Sequence, residues 1–170
     1  GARPGGLLGQ QPHPLHGAQL GNVLLDAGPR PLQLRVARLS VACLQGMRAA
    51  GMAASAKHFP GHGAVVADSH KSLPVDRRAL EDLADDLLPY RRLIANGLPS
   101  IMVAHVQFPE VDDAPASFSR RWIQQELRWK LGFTGAVFSD DLSMGGASFA
   151  GDVPERARRA LAAGCDVLAV

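Results

Sequence analysis

The sequence predicts an α/β fold in which parallel strands are joined by crossover helices. Helix-like and strand-like segments alternate from residue 34 to the end of the chain. Three of the strand-like runs lead into a polar, chemistry-bearing residue, His58, His105 or Asp140. With 46% hydrophobic and 20% charged residues, the 170-residue chain has enough apolar material for the core of one domain. Parallel neighbours can be linked only by crossover connections, so such alternation demands a helix-covered parallel sheet. A doubly wound open sheet satisfies it, and so does part of a (β/α)₈ barrel. Both place their chemistry at the C-terminal ends of strands. A barrel needs eight strands and typically ~250 residues, whereas this chain supplies about four strand–helix units.

Residues 1–33 carry little pattern. Gly1 to Pro14 is rich in Gly and Pro and reads as loop, and Gly28-Pro29-Arg30-Pro31 interrupts whatever Leu20 to Leu25 begins. From Leu34 the organisation is regular, so residues 34–170 are taken as the domain. Val36, Leu39, Cys43, Leu44 and Met47 recur at helical spacing, and Gly51 is placed to end that helix in the left-handed conformation. Met52 to Lys57 suits a buried strand, and a loop follows over about Phe59 to Val75. Arg78 to Leu88 reads as a helix with Leu80, Leu83 and Leu87 inward. Pro89 then opens a second helix, where a missing N–H does no harm, and Gly97 closes it.

Ile101 to Val106 is an apolar run of strand length. Ser119 is placed to cap a helix carrying Ile123, Leu127 and Leu131, with Gly132 as its stop. Gly135 to Ser139 is the next strand and runs into Asp140-Asp141. Asp152 with Glu155 three residues on has the form of a capping box, Gly164 ends that helix, and Asp166 to Val170 is strand again.

The net charge of +2, from 18 basic and 16 acidic residues without a basic run, excludes nucleic acid or a membrane surface as the expected partner. No stretch reaches the ~20 apolar residues of a membrane span, and no signal-peptide pattern opens the sequence, so the expected location is the cytoplasm. Cys43 and Cys165 lie in apolar helix-like settings without CxxC spacing and read as buried free thiols.

The densest chemistry lies in Lys57-His58-Phe59-Pro60-Gly61-His62-Gly63 with Asp68-Ser69-His70. Three histidines and an aspartate within fourteen positions can form a metal set. Their spacing is not compact and helical, however, and Lys57 would repel a cation, so no metal is assigned. A polar surface loop is the plainer alternative, but Pro60, Gly61 and Gly63 specify a shaped backbone. Asp68, two residues before His70, allows a hydrogen-bonded pair of the kind that orients an imidazole for proton transfer near neutral pH. Asp140 and Asp141 can be a helix cap or a solvated turn, and a carboxylate at a strand end can also be a nucleophile.

In Lys57 to His70 the sequence resembles family 3 glycoside hydrolases, in their bacterial β-N-acetylhexosaminidase branch. That branch is marked by a Lys-His-Phe-Pro-Gly-His-Gly run followed by Asp-Ser-His. Ile101 to Pro109 resembles the family's next strand, and Gly135 to Met144 its nucleophile strand. The resemblance runs in order over about Leu34 to Val170. It implies part of a TIM-like (β/α)₈ barrel, with the N-terminal and last units lying outside the matching stretch. It also implies retaining hydrolysis of terminal β-N-acetylglucosamine from muropeptides during cell-wall recycling. The enzyme would be cytoplasmic, without a cofactor, and a monomer at full length. Asp140 would be the nucleophile, His70 the general acid/base and Asp68 its tuning partner. Lys57 and His58 would bind sugar hydroxyls, while Asp141, Ser143 and Met144 would shape the pocket floor. His62 is read as shaping its loop and His105 as structural.

The family's sugar-binding Asp-Gln-Glu-Gly-Gly-Arg-like and Gly-Asp-Arg-type segments have no counterpart before Lys57. The alternatives are therefore an inactive fragment, a sugar-binding remnant, or a glycosidase or phosphorylase acting on another β-linked sugar.

Overall fold

The computed structural model describes residues 31–170. Residues 1–30, most of the segment read as irregular, lie outside that range, and the last three residues of that segment open the first helix. Four strands, β1 (Ser55–Phe59), β2 (Ser100–Val103), β3 (Ala136–Asp141) and β4 (Val167–Ala169), form one sheet in the order β1-β2-β3-β4, with every pair parallel. That order decides between the two architectures. A doubly wound sheet reverses its strand order at a switch point. Here each crossover steps to the next position in the same direction, as in a sector of a (β/α)₈ barrel.

Helix α1 (Pro31–Ala49) starts on a proline, whose fixed φ suits a first helical position. It ends before Gly51 at φ 74°. Its buried stripe is rotated from the expected one: Leu44 is buried and Met47 packs partly against the core as expected, but Ala37 and Val41 join them in place of the other three. Val36, Leu39 and Cys43 are exposed, so Cys43 is a free surface thiol, whereas Cys165 is free and buried as expected. The rotation follows from the helix's neighbour, because α1 packs mainly on α2 (Ala84–Ala95). Arg48 ties the two helix ends together by donating to the carbonyls of Asn96 and Gly97, both at 2.8 Å.

Pro89 does not open a second helix. A 3₁₀ turn over Leu80–Leu83 leads into α2, and Pro89 sits inside it. Leu83, Leu87, Tyr90 and Leu93 form one continuous buried face across the proline. That burial outweighs the one backbone hydrogen bond a proline removes.

The helix expected after Ser119 is present over Arg121–Lys130, wound with π spacing, and its last turn closes from the Leu131 amide to the Glu126 carbonyl at 3.0 Å. Ser119 caps as expected, its Oγ accepting from the Trp122 amide at 3.0 Å. Helix α3 (Val153–Ala163) opens on Asp152, whose Oδ1 accepts from the Glu155 amide at 2.9 Å, and stops at Gly164 with φ 116°.

Between sheet and helices lie Phe59, Ile101, Val103 and Val137, packed on Leu83, Leu87, Trp122, Ile123 and Leu127. Phe59 is the hinge of this core. Its ring meets Tyr90 at 5.3 Å and Trp122 at 5.9 Å, both edge-on, a geometry that adds to the value of burial alone. Among the described residues, no helix is long and apolar enough to cross a membrane.

Candidate active site

Two breaks in sheet register set the site. Ala56 pairs with Ile101 and Phe59 with Val103, three steps of β1 against two of β2. Because Ala56 and Phe59 both pack toward the core, Lys57 and His58 fill the extra length. In the same way Phe138 pairs with Val167 and Asp141 with Ala169, which leaves Ser139 and Asp140 in the irregular stretch. Bulges of this kind re-aim side chains beside functional sites. β1 and β3 also run further than the sequence predicts, whereas β2 stops at Val103, short of the expected Val106 and of His105. His58, Asp140 and Asp141 lie within β1 and β3 rather than beyond them.

His58 and Asp140 are brought together across the sheet. His58 Nε2 stands 3.8 Å from Asp140 Oδ2, with His58 partly and Asp140 almost wholly buried. That distance is an electrostatic contact, too long for a hydrogen bond. Burial lowers the His58 pKa. The Asp140 charge opposes this, while Lys57, His62 and His70 reinforce it, so the ring is neutral near neutral pH. Asp140 Oδ1 accepts from the Asp141 amide at 3.0 Å. One carboxylate oxygen is thus held and the other faces the imidazole.

Asp68 and His70 form the expected pair. Asp68 Oδ1 accepts the His70 amide at 3.0 Å and lies 2.9 Å from His70 Nδ1. Hydrogen bonds from the His70 backbone and side chain hold the Asp68 carboxyl below its ordinary pKa, so it is ionised and can only accept. Nδ1 therefore carries a proton, and Nε2 is left to exchange one. Both side chains are open to solvent.

Gly145 and Gly146, which carry no expectation from the sequence, join this pair to the end of β3, which carries Asp140. The Gly145 amide donates to the His70 carbonyl at 3.0 Å and the Gly146 amide to the Ser69 carbonyl at 2.9 Å. A Cβ on Gly145 would stand 2.5 Å from the Lys71 carbonyl oxygen, and one on Gly146 2.8 Å from that of Ser69. The signal was a glycine pair just after Ser139-Asp140-Asp141, but which segment it meets is a tertiary fact.

Arg78 anchors the other end of the loop. It holds Asp76 through both carboxylate oxygens and reaches Asp86 on α2 at 2.7 Å.

Asp141 serves the turn. Its Oδ1 accepts from the Ser143 amide at 2.7 Å, and the hydrogen bonds from Ser143 lower its pKa. The Met144 side chain is buried. His62 packs its ring edge-on to His58 at 6.3 Å. Lys57 is exposed on β1, where its charge reaches His58, and it also borders a groove of about 450 Å³ between α1, β1 and α2. His105 is fully buried, with both ring nitrogens engaged. Among the described residues, no three His, Cys, Asp or Glu side chains are grouped so as to hold a metal ion.

The family model of the glycosyl hydrolase family 3 N-terminal domain matches residues 33–170. The chain belongs to glycoside hydrolase family 3. Among its family 3 relatives is a beta-hexosaminidase of Thiobacillus denitrificans, 59% identical over 136 residues, covering 79% of this chain and 38% of that protein. Another, from Bordetella avium, is 55% identical over 152 residues, covering 89% of this chain and 42% of the relative. The chain therefore spans about two fifths of the length of these curated relatives. In structure it is similar to NagZ of Neisseria gonorrhoeae, solved in complex with N-trifluoroacetyl-D-glucosamine. The TM-score is 0.71 at 48% identity, over 78% of this chain and 38% of that one. A family 3 β-N-acetylglucosaminidase from Paenibacillus superimposes with a TM-score of 0.75 at 42% identity, over 78% of this chain and 26% of the other. The four-stranded parallel sheet is thus the part of a TIM-like barrel that the family resemblance implies.

Proposed function

We propose that this family 3 chain carries the catalytic half of a retaining β-N-acetylhexosaminidase that releases terminal β-N-acetylglucosamine. The observation that carries the reading is the double hydrogen bond from Gly145 and Gly146 to His70 and Ser69, which docks a proton-transfer pair onto the strand bearing Asp140. The beta-hexosaminidase relatives and the glucosamine-derivative complex of the Neisseria neighbour support the substrate class.

In the first step Asp140 Oδ2 attacks the anomeric carbon as the bond to the leaving oxygen breaks, and a protonated His70 Nε2 gives that oxygen its proton. In the second step water attacks the same carbon, His70 takes its proton, and the bond to Asp140 breaks. Two inversions leave the configuration retained. His58 and Lys57 hydrogen-bond sugar hydroxyls, the neutral His58 ring doing so without cancelling the Asp140 charge. The natural substrate inferred is a muropeptide and the setting the cytoplasm, by the resemblance of Lys57 to His70 to that branch of the family.

The test is turnover of a chromogenic N-acetyl-β-glucosaminide followed by proton NMR of the first product formed. The reading expects the β-anomer first, activity lost in Asp140→Ala and in His70→Ala, and no effect of chelators. Initial release of the α-anomer, or full activity in either variant, would overturn it.

A further inference from the structure

We propose that His105 is a positioning residue for Asp140: held as its Nε2–H tautomer, it donates to the Asp141 carbonyl and so fixes the backbone that carries the Asp140 carboxylate. For its effect on turnover the inference rests on Asp140 being the nucleophile. For its structural content it does not.

The ring's protonation follows from its partners. His105 Nε2 lies 3.0 Å from the Asp141 carbonyl oxygen, which can only accept, so Nε2 carries a proton. Nδ1 lies 2.6 Å from Ser117 Oγ, and a hydroxyl can act in either sense. Ring and hydroxyl are both fully buried, where an imidazolium is disfavoured, so the ring is neutral and Nδ1 accepts a hydrogen bond donated by the Ser117 hydroxyl. Its pKa is lowered by burial; the Asp141 carbonyl and the Asp140 and Asp141 charges oppose this, and Arg156 adds to the lowering.

Ring orientation is fixed as well. Phe118 stacks on His105 at 5.5 Å with planes 7° apart, and Phe149 meets Phe118 edge-on at 5.6 Å. Ser117 is itself set, because its amide donates to the Ala104 carbonyl at 3.1 Å.

The held peptide is the one beside the reactive group. The Asp141 amide binds Asp140 Oδ1, and the carbonyl of the same residue accepts from His105. The Leu142 amide then locks onto the Ala169 carbonyl at 2.9 Å. Without the His105 proton, a part-buried carbonyl at the end of the irregular stretch of β3 loses its partner, a loss that costs about 1–3 kcal/mol in similar settings. The backbone then turns to satisfy it, and the Asp141 amide moves off Asp140.

A merely space-filling histidine makes no such demand, and this separates the alternatives. The experiment uses the full 170-residue chain. Imidazole nitrogen NMR should show His105 as the Nε2–H tautomer. His105→Phe, which keeps the stacking surface but has no donor, should shift the Asp140 carboxyl carbon and Asp141 amide resonances and leave those of Asp68 and His70 in place. His105→Gln, which can place a donor near the Asp141 carbonyl, should return them toward the parent positions. Where turnover is measured, His105→Phe should lower kcat about 10- to 100-fold with KM little changed, and His105→Gln should recover most of it. If His105→Phe does not fold, Ser117→Ala decides instead, because freeing Nδ1 should broaden the same two resonances. An Nδ1–H tautomer, or Asp140 and Asp141 signals unmoved in the folded variants, would overturn the proposal. A chain without turnover would overturn the activity proposed for it, while the resonances still decide the role of His105.

Discussion

The carbonyl of His70 accepts a hydrogen bond from the amide of Gly145 at 3.0 Å. This one contact spans two crossover units, since His70 belongs to the loop after β1 and Gly145 follows β3. With its neighbour from Gly146 to Ser69, it makes the solvent-exposed Asp68–His70 pair part of the rigid frame that holds Asp140. A flexible loop carrying a histidine could not supply the fixed geometry that general acid–base chemistry requires.

Gly145→Ala tests that frame. The added Cβ would meet the Lys71 carbonyl carbon and oxygen at 2.6 and 2.5 Å, and both are backbone atoms that cannot swing aside. The Asp68–His70 segment must move, and a displacement near 1 Å costs about 100-fold in rate. We expect kcat/KM on an N-acetylglucosaminide to fall about 10- to 100-fold with the far-ultraviolet circular dichroism unchanged. Parent-like kinetics in the variant would show that the docking is dispensable.

Arg78→Ala should destabilise the fold more than it alters the chemistry. Asp76 is buried, and Arg78 engages it through Nε and Nη2 while also reaching Asp86. Loss of the guanidinium strands a buried carboxylate, and because Arg78 itself is about one-third exposed the expected loss is about 2 kcal/mol, below the full cost of breaking a buried pair. Urea unfolding measures it. A midpoint equal to that of the parent would contradict the role given to Arg78.

The same pair has a pH signature. Burial alone would push the Asp76 carboxyl up, but the hydrogen bonds and charge of Arg78 outweigh it and hold the group below its ordinary value. A depressed folded-state pKa adds stability that is complete above the unfolded carboxyl pKa near 3.9 and is lost as pH falls through the folded value. Stability against urea should therefore drop steeply below about pH 4 in the parent, and less steeply in Arg78→Ala.

His58 and His105 act at higher pH. Burial lowers both pKa values, against the opposing pull of Asp140 on each. The unfolded chain then binds more protons than the folded one just below the ordinary histidine pKa near 6.5, and stability declines as pH falls through that window. Thermal melts from about pH 7.5 down to about pH 5 should show the decline, reduced in His105→Gln. A melting temperature that rises over this interval would contradict the neutral assignment of both rings.

Much of this was legible in the residues. Alternating periodicity gave parallel strands, Asp152 and Glu155 announced their cap, and Asp68 two residues before His70 announced their hydrogen bond. Local patterns failed where tertiary context decides. Pro89 reads as a helix start until the buried face from Leu83 to Leu93 is seen to run through it. The apolar stripe of α1 reads as Val36, Leu39, Cys43, Leu44 and Met47, but only Leu44 and Met47 turn inward with Ala37 and Val41 once α2 is in place. Strand ends shifted because bulges absorb Lys57-His58 and Ser139-Asp140, and no two-residue alternation reveals a bulge. Gly145 and Gly146 went unread because their partners, His70 and Ser69, lie far away in the chain. Arg78 went unread although Asp76 is two residues before it, because nothing local shows that Asp76 is buried or that Arg78 reaches Asp86 on α2.

The central claim is that Asp140 forms a covalent bond to the sugar. Incubating the 170-residue chain with a fluorinated N-acetylglucosaminyl donor that forms the intermediate faster than water removes it, then mapping the adduct by mass spectrometry, tests it most directly. The account predicts one sugar on the peptide containing Ser139-Asp140-Asp141, located on Asp140 and absent from Asp140→Ala. An adduct on any other residue, or steady product release without a protein-bound sugar, would contradict it.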